Sequence, residues 1–255
     1  MGIISGNIGV RLLNLASRGG TVSAFPDIAT AYLQTSKLEM LFGSSIWGEI
    51  QEKEVLDFGC GPGTEAVELA ERGARHVVGL ELRPKWLRDS TALASARGVD
   101  HKCYFGKTWE RPVDLILSVD SFEHFADPPA ILQQMRALLK PTGSVIVSFG
   151  PTWYHPLGGH YYSVFPYSHL LFSESALVRW RSLYKTDGAT TIEESGLNRL
   201  TIGRFEKFVA DSPFKFAAFE AVPIRRVKKI ANRVTREFTT ATVRCKLVPR
   251  DVKSC

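Results

Sequence analysis

The chain has 255 residues, a formal net charge of +6 at neutral pH, 44% apolar residues and 23% charged residues. These values are ordinary for one folded α/β domain with an ample core, and they exclude a disordered or collagen-like chain. Its four cysteines are far apart with no C-x-x-C pair, which argues against a zinc site or a disulfide framework and favours the reducing cytoplasm.

The first residues predict no targeting signal. Arg11 interrupts the apolar run that a secretory signal needs, and Gly6 stands where a myristoylation site has serine or threonine. No apolar run of about 18 residues occurs, so we expect no membrane span. Residues 1–52 predict a mostly helical cap, with a second helix from Asp27 to Phe42. This cap either closes over a ligand or packs on the edge of a sheet.

A strand, a tight turn and a helix are predicted around residues 54–70. A short apolar run from Glu54 to Phe58 leads into three glycines, Gly59, Gly61 and Gly63, and a helical pattern follows. Glycine accepts positive φ and lets a ligand approach the backbone. A second strand from His76 to Leu80 ends at Glu81, 20 residues after Gly61. A carboxylate at that distance binds ribose hydroxyls in βαβ units, which indicates an adenosine-type ligand.

The turn excludes two common adenosine sites. Thr64 occupies the last position of G-x-G-x-x-G, where dinucleotide-binding proteins have glycine or alanine, and the Lys-Ser/Thr pair of a Walker loop is missing. Val-Leu-Asp-Phe-Gly-Cys-Gly-Pro-Gly resembles the first motif of class I S-adenosylmethionine-dependent methyltransferases. The resemblance implies that the turn holds the methionine end of the cofactor, that Asp57 contacts its ammonium group and that Glu81 holds the ribose. The alternative is a buried strand whose glycine turn binds nothing.

The same resemblance extends the expected cofactor site. Leu82 follows the ribose acid and would pack on the adenine. Lys107 stands where the family commonly has aspartate, so the backbone of residues 106–109 or stacking by Trp109 would replace that contact. Trp86 is expected in the core. The predicted cofactor contacts are Asp57, Gly59, Cys60, Gly61, Gly63, Glu81, Leu82, Lys107 and Ser118.

Strands are further predicted at residues 102–106, 112–120 and 144–149, the last after a Lys-Pro-x-Gly turn. Five strands with crossovers in sequence favour a parallel sheet. The resemblance implies a Rossmann-like, seven-stranded sheet in the order 3-2-1-4-5-7-6 with an antiparallel last strand. Strands are expected at residues 214–222 and 239–248, after a crossover helix at residues 202–209.

Residues 118–128 resemble the "S … E-H-x-x-D-P" pattern of family members that methylate small molecules and lipids. The pattern follows the fourth strand, at the edge where ligands bind in such sheets. His124 is therefore a candidate base for the acceptor's proton, and Glu123 a candidate acceptor contact. A purely structural His124 that caps the loop is the alternative.

Residues 151–200 predict an insertion over the same edge, rich in aromatic residues and histidines. We expect it to cover the acceptor, with His160 as a second catalytic candidate and Trp153, His155 and Tyr161 as acceptor contacts. The alternative is that the aromatic residues only fill a core. His155, His160 and His169 match no standard metal-site spacing, and we expect no metal.

A basic amphipathic helix is predicted at residues 224–236, with Ile224, Val227, Ile230 and Val234 on one face. Such a helix can bind acidic membranes or nucleic acid, or simply be solvated.

The sequence thus predicts a cytoplasmic methyltransferase domain at residues 53–250 and a tail at residues 251–255. Its methyl acceptor would be the oxygen, nitrogen or carbon of a small or lipid-like molecule, with no stable nucleic-acid partner. An RNA methyltransferase that uses residues 224–236 and a non-catalytic S-adenosylmethionine-binding protein are the alternatives.

Overall fold

A computed structural model describes residues 2–17 and 36–250. Within these residues the chain forms a seven-stranded sheet in the order β3-β2-β1-β4-β5-β7-β6, in which β7 runs antiparallel to both neighbours. The predicted fold class and strand order are confirmed. The strands are β1 (Glu54–Phe58), β2 (His76–Leu80), β3 (Cys103–Gly106), β4 (Val113–Val119), β5 (Leu139–Phe149), β6 (Phe214–Pro223) and β7 (Thr240–Pro249).

Helices cover both faces of the sheet, which is why β1, β2 and β4 are almost continuously apolar. One face packs against α2 (Lys37–Phe42), α3 (Ile46–Ile50), α4 (Thr64–Glu71) and α5 (Pro84–Ala96). The other face packs against α6 (Pro128–Ala137) and α9 (Ile202–Ala210). Since β1 to β5 are parallel, their carboxyl ends meet at one edge of the sheet.

The insertion after β5 builds a core of its own with the N-terminal helix. Cluster members come from α1 (Gly6–Ala16), α8 (Glu174–Arg181) and the loops that flank α8 and the short helix α7 (Ser168–Leu171). Ile4 forms a parallel bridge to Phe172, and Leu13 packs among the aromatic residues of the insertion. The predicted cap is therefore divided, because α1 belongs to the insertion whereas α2 and α3 pack on the sheet. Residues 27–35 of the predicted second helix lie outside the described residues.

The connection from β3 to β4 is too short for a helix. It runs from Gly106 to Val113, and seven extended steps span at most about 25 Å while the chain crosses two intervening strands. Trp109 covers this part of the sheet, with its ring 5.9 Å from that of His76 and 5.2 Å from that of Tyr104. His76 begins β2, so Trp109 lies toward the amino ends of the strands. Stacking of Trp109 on adenine, one of the two alternatives for the missing aspartate contact, is therefore wrong.

β5 begins earlier than predicted, at Leu139 rather than Ser144. Leu139 pairs with Val113, and the register shifts before Ser144 pairs with Leu115, so the Lys-Pro-x-Gly turn is absorbed as an irregularity of the strand. Lys140 fastens this stretch, because its ammonium group lies 3.0 Å from Glu54 and 2.9 Å from Asp114.

The predicted basic helix at residues 224–236 is wrong. The chain instead forms a 3₁₀ turn at Arg225–Ile230, a bend, and the short helix α10 (Arg236–Thr239). The backbone N–H of Ile224 donates to the Thr239 carbonyl at 2.7 Å, so both ends of the segment meet. A straight helix of 13 residues is about 20 Å long and cannot close that gap.

Candidate active site at the carboxyl edge of the sheet

The glycine turn follows β1, with φ angles of 84° at Gly59, 52° at Gly61 and 83° at Gly63. A Cβ at Gly63 would lie 2.5 Å from the Ser90 side chain, and one at Gly59 would lie 2.7 Å from the Ser121 hydroxyl. Two of the glycines are thus required by packing as well as by φ, and not only by the approach of a ligand. The turn is therefore packed tightly between Ser90 of α5 and Ser121 of the loop after β4.

Asp57 lies at the end of β1, beneath this turn. Its side chain is 3% exposed, and Oδ2 has no hydrogen-bond partner among the described residues. Burial, together with the nearby Glu65 carboxylate, raises the pKa of Asp57 well above its usual value. A buried acceptor without a partner is costly, so this position is suited to a cationic ligand group.

Glu81 is held by one of its two carboxylate oxygens. Oε1 accepts from the Leu82 N–H at 2.8 Å, the Arg83 N–H at 2.9 Å and the Arg83 Nε at 3.2 Å. Oε2 makes no hydrogen bond within the part of the chain that the structure describes. The carboxylate is therefore fixed in orientation and keeps one oxygen for a ligand, as the predicted ribose contact requires.

Trp86 forms a wall of this site, and its predicted place in the core is wrong. Its ring lies 3.4 Å from where a Cβ of Gly61 would be, and the Arg83 guanidinium lies 3.1 Å from the ring centroid on top of it. Trp86 is the third residue of α5, which begins with Pro84. The first turn of a helix that follows a parallel strand lies at the ligand edge. Pro84 marks that first turn in the sequence, so the position of Trp86 could have been inferred from it.

The other predicted cofactor contacts differ in their accessibility. Leu82 is 74% exposed beside Glu81, and Lys107 is exposed after β3. Cys60 is buried, so that it can offer only its backbone. Ser118 is fully buried near the carboxyl end of β4, and its hydroxyl donates to the Phe58 carbonyl at 3.1 Å, so it joins β4 to β1.

An ion cluster that the sequence analysis missed closes the same edge. The Lys37 ammonium group, at the start of α2, lies 3.1 Å from Glu65 and 2.9 Å from Asp120. These two ion pairs raise the pKa of Lys37 despite its burial. Asp120 follows β4 with a φ of 48°. Residues distant in the sequence meet here, so no local pattern could have indicated the cluster.

His124 lies in the 3₁₀ turn Phe122–His124 after β4 and is exposed. Its Nδ1 lies 2.7 Å from the Gly196 carbonyl, so Nδ1 carries a proton and Nε2 is the acceptor of the neutral ring. Glu123 is buried beneath it and accepts from the Gly150 N–H at 3.2 Å. Burial raises the pKa of Glu123 to about 8. Glu123 supports the loop and is not brought to the surface as an acceptor contact.

His160 is brought next to His124, with their ring centroids 5.5 Å apart. His160 is half-buried, and burial together with the neighbouring His124 lowers its pKa to about 4. Its Nε2 has no partner among the described residues. Tyr161 follows it and is exposed. The insertion thus delivers a neutral histidine to the edge where β4 ends, and the two predicted catalytic histidines are neighbours.

The remaining predicted residues of the insertion serve its internal structure. His155 accepts from the Leu157 N–H at 2.9 Å, and burial lowers its pKa to about 4. Trp153 packs edge-on against His169, whose Nε2 lies 2.7 Å from the Trp153 carbonyl. Among the described residues no group of His, Cys, Asp or Glu is arranged to hold a metal ion. Nor does that part of the chain contain a helix with the length and apolarity needed to cross a bilayer.

Residues 33–183, more than half of the chain, match the family model of a methyltransferase domain. The chain belongs to this methyltransferase family. Its sheet order and glycine turn are those of the class I, S-adenosylmethionine-dependent members, and a solved methyltransferase of this kind from Mesorhizobium loti has the same fold. The two structures superpose with a TM-score of 0.52 at 16% identity, over 79% of this chain and 93% of the other.

Two curated relatives of this methyltransferase differ in what their names say they act on. The ubiquinone biosynthesis O-methyltransferase of Idiomarina loihiensis is 36% identical over 102 residues, which are 38% of this chain and 42% of that protein. The tRNA 5-carboxymethoxyuridine methyltransferase of Escherichia coli is 34% identical over 107 residues, which are 39% and 41% of the two chains. The chain thus spans less than half the length of either relative.

The methyltransferase cofactor, S-adenosylmethionine, fits the groups at this edge. It carries an ammonium group and two ribose hydroxyls, and the site offers a buried Asp57 oxygen without a partner and an oriented Glu81 with one oxygen left. A cation beside Asp57 would remove the cost of its burial. The donor set therefore suits this cofactor.

Proposed function

We propose that the chain transfers a methyl group from S-adenosylmethionine to a small or lipid-like acceptor bound beneath residues 151–200. The observation that carries the proposal is Asp57, a buried carboxylate with an unpartnered oxygen under the glycine turn. The Lys37 ammonium group acts on Asp57 only through its charge, whereas the ammonium end of the cofactor would give this oxygen a hydrogen-bond partner. The family membership of the chain supports the transfer of a methyl group.

In this proposal different residues bind the two ends of the cofactor. Asp57 takes the ammonium group, the free oxygen of Glu81 takes the ribose, and Trp86 and Leu82 flank the nucleoside. When bound, the cofactor supplies an already activated methyl group, so the protein mainly has to align the acceptor. Alignment of two reactants can lower a barrier by roughly 7–11 kcal/mol, which makes it the larger contribution.

His124 would remove the acceptor's proton. The Gly196 carbonyl holds Nδ1–H and so leaves Nε2 as the basic atom. His160 supports this role because a histidine whose pKa is about 4 is neutral at pH 7 and places no positive charge beside that base. A positioned base typically contributes about 10²- to 10⁴-fold in rate. An oxygen or acidic carbon acceptor would benefit most.

The insertion would keep water from the reacting groups. It has its own aromatic core, and its carboxyl end is fastened under the β4 loop, where the Asn198 amide donates to the Phe122 and Phe125 carbonyls at 2.7 and 2.8 Å. A cover of this kind excludes water and strengthens polar contacts inside the site. Tyr161, which is exposed beside His160, would then shape the acceptor pocket.

Transfer of label from methyl-tritiated S-adenosylmethionine to fractionated cell extract tests this proposal. We expect label in the small-molecule or lipid fraction, and a loss of about 10²- to 10⁴-fold in kcat for His124→Gln with unchanged cofactor affinity. His101→Gln is the matched control, because His101 is an exposed histidine at the opposite edge of the sheet.

Two outcomes would overturn the proposal. Label confined to tRNA or other RNA would show that the acceptor class is wrong and would favour the activity named for the Escherichia coli relative. Cofactor binding without label in any fraction would show a protein that binds S-adenosylmethionine but transfers nothing.

A further inference from the structure

A loop rich in positive charge lies at the same edge as the candidate active site. It comprises residues 224–239, between β6 and β7, and we call it the basic loop. β6 runs antiparallel to β7, and β7 runs antiparallel to β5, so β5 and β6 point the same way. The carboxyl end of β6 therefore lies at the edge where β4 and β5 end. The basic loop and the insertion share one side of the molecule.

Five cations of the basic loop have no acidic partner within the described residues. They are exposed, and they are Arg225, Arg226, Lys228, Lys229 and Arg233. The other charged residues of the loop, Arg236 and Glu237, are paired within the protein. Arg236 makes two bonds to Glu206, at 2.7 and 2.5 Å, and Glu237 accepts from the first N–H groups of α9. The loop is thus anchored by Arg236 and Glu237 and presents unneutralised positive charge.

Large apolar side chains stand exposed among these cations. Ile230 is 60% exposed, Val234 87% and Phe238 47%. Scattered apolar residues on a surface are ordinary, but three in one loop with five unpaired cations form an amphipathic surface. A folded nucleic acid would use the positive charge and leave the aliphatic groups in water. An anionic bilayer uses both, because its headgroups attract the cations and its acyl boundary accepts the apolar groups.

The basic loop is joined to the cover of the candidate active site. The Phe238 ring lies 5.3 Å from that of Tyr154, which belongs to the insertion and is itself exposed. Glu237 ties α10 to the start of α9, the helix that follows the insertion. A flat partner seated on the basic loop would therefore also contact the insertion.

We propose that the basic loop docks the protein on an anionic phospholipid bilayer, so that the acceptor enters beneath the insertion from the membrane surface. The choice of acceptor rests on the proposed function, whereas docking does not require catalysis. Each Lys or Arg near an anionic surface contributes a roughly fivefold gain in partitioning, so neutralising four of them lowers partitioning by about 600-fold.

The test is co-sedimentation of the full chain with two kinds of vesicle, phosphatidylcholine alone and an equimolar mixture of phosphatidylcholine and phosphatidylglycerol. We expect binding to the anionic vesicles only, weakened by salt. A variant with glutamine at positions 225, 226, 228 and 229 should lose it. Glutamine at Arg72, Arg97, Arg111 and Lys207 is the matched control, because these exposed cations lie at the opposite edge and their removal changes the net charge equally. The Ile230→Ser, Val234→Ser variant should bind more weakly while keeping every charge.

Equal sedimentation of the charge variant and its control would overturn the proposal, as would equal binding to neutral vesicles or none to anionic ones. Loss of RNA binding by the charge variant, with vesicle binding unchanged, would overturn it in favour of a nucleic-acid surface. Calorimetry with S-adenosylhomocysteine on the same samples separates this result from the proposed function, since the charge variant should bind that nucleoside as the unmodified chain does.

Discussion

Substitution of Glu81 is the perturbation whose size follows most directly from the structure. Oε1 is already occupied by the Leu82 N–H, the Arg83 N–H and the Arg83 guanidinium, so only Oε2 is left for the ribose. One hydrogen bond to a charged group contributes about 1.5–3 kcal/mol. Glu81→Ala should therefore weaken binding of S-adenosylhomocysteine by about tenfold to about 150-fold.

Isothermal titration calorimetry measures this change, and thermal unfolding must accompany it because Glu81 also holds the start of α5. Glu81→Gln keeps an oxygen that accepts from the two backbone N–H groups while it removes the charge, so its loss of affinity should be smaller with little loss of stability. Glu71→Ala is the matched control, since this carboxylate is 3.1 Å from Arg97 at the far end of α4. Unchanged affinity in Glu81→Ala would refute the placement of the ribose.

Three further predictions concern the groups around the turn. Gly63→Ala should lose roughly 2–5 kcal/mol of stability in urea unfolding, because it adds a clash with Ser90 to the strain of positive φ. The control Gly98→Ala meets no neighbour and should lose only about 1–2 kcal/mol. Equal losses in the two variants would contradict the packing argument. Glu123 has a folded pKa of about 8, above its ordinary value of 4.5, so the folded state binds the extra proton and stability falls as pH rises between those values, by up to ~1.4 kcal/mol per pH unit. Glu123→Gln should flatten that fall in thermal scans, and an unaltered pH profile would contradict it. Asp57→Asn should keep or raise the stability of the unliganded protein while weakening cofactor binding at least about tenfold by calorimetry, and a simple loss of stability would count against its assignment.

The sequence predicts the strands and the turn because their signals are local. The apolar run of β1, the three spaced glycines and Glu81 each depend on backbone conformation within a few residues. The strand order followed from resemblance to a family and from the rules for crossovers. These features are therefore available without knowledge of distant contacts.

The errors lie where distant contacts decide the conformation. The amphipathic pattern of residues 224–236 favours a helix, but the Ile224–Thr239 hydrogen bond and the Glu237 contacts with α9 close the segment into a loop. Trp109 follows β3 closely in the sequence, which suggests stacking on adenine. The short β3–β4 connection instead places its ring beside His76, at the amino ends of the strands. Neither constraint is visible in the neighbouring residues.

A crystal structure of the chain grown with S-adenosylhomocysteine tests the central claim most directly. We predict that the α-amino group of the homocysteine end lies at the Oδ2 oxygen of Asp57. The ribose should lie at the Oε2 oxygen of Glu81, with Trp86 beside the nucleoside. A nucleoside bound elsewhere, with Asp57 still without a partner, would contradict the assignment of this edge as the cofactor site.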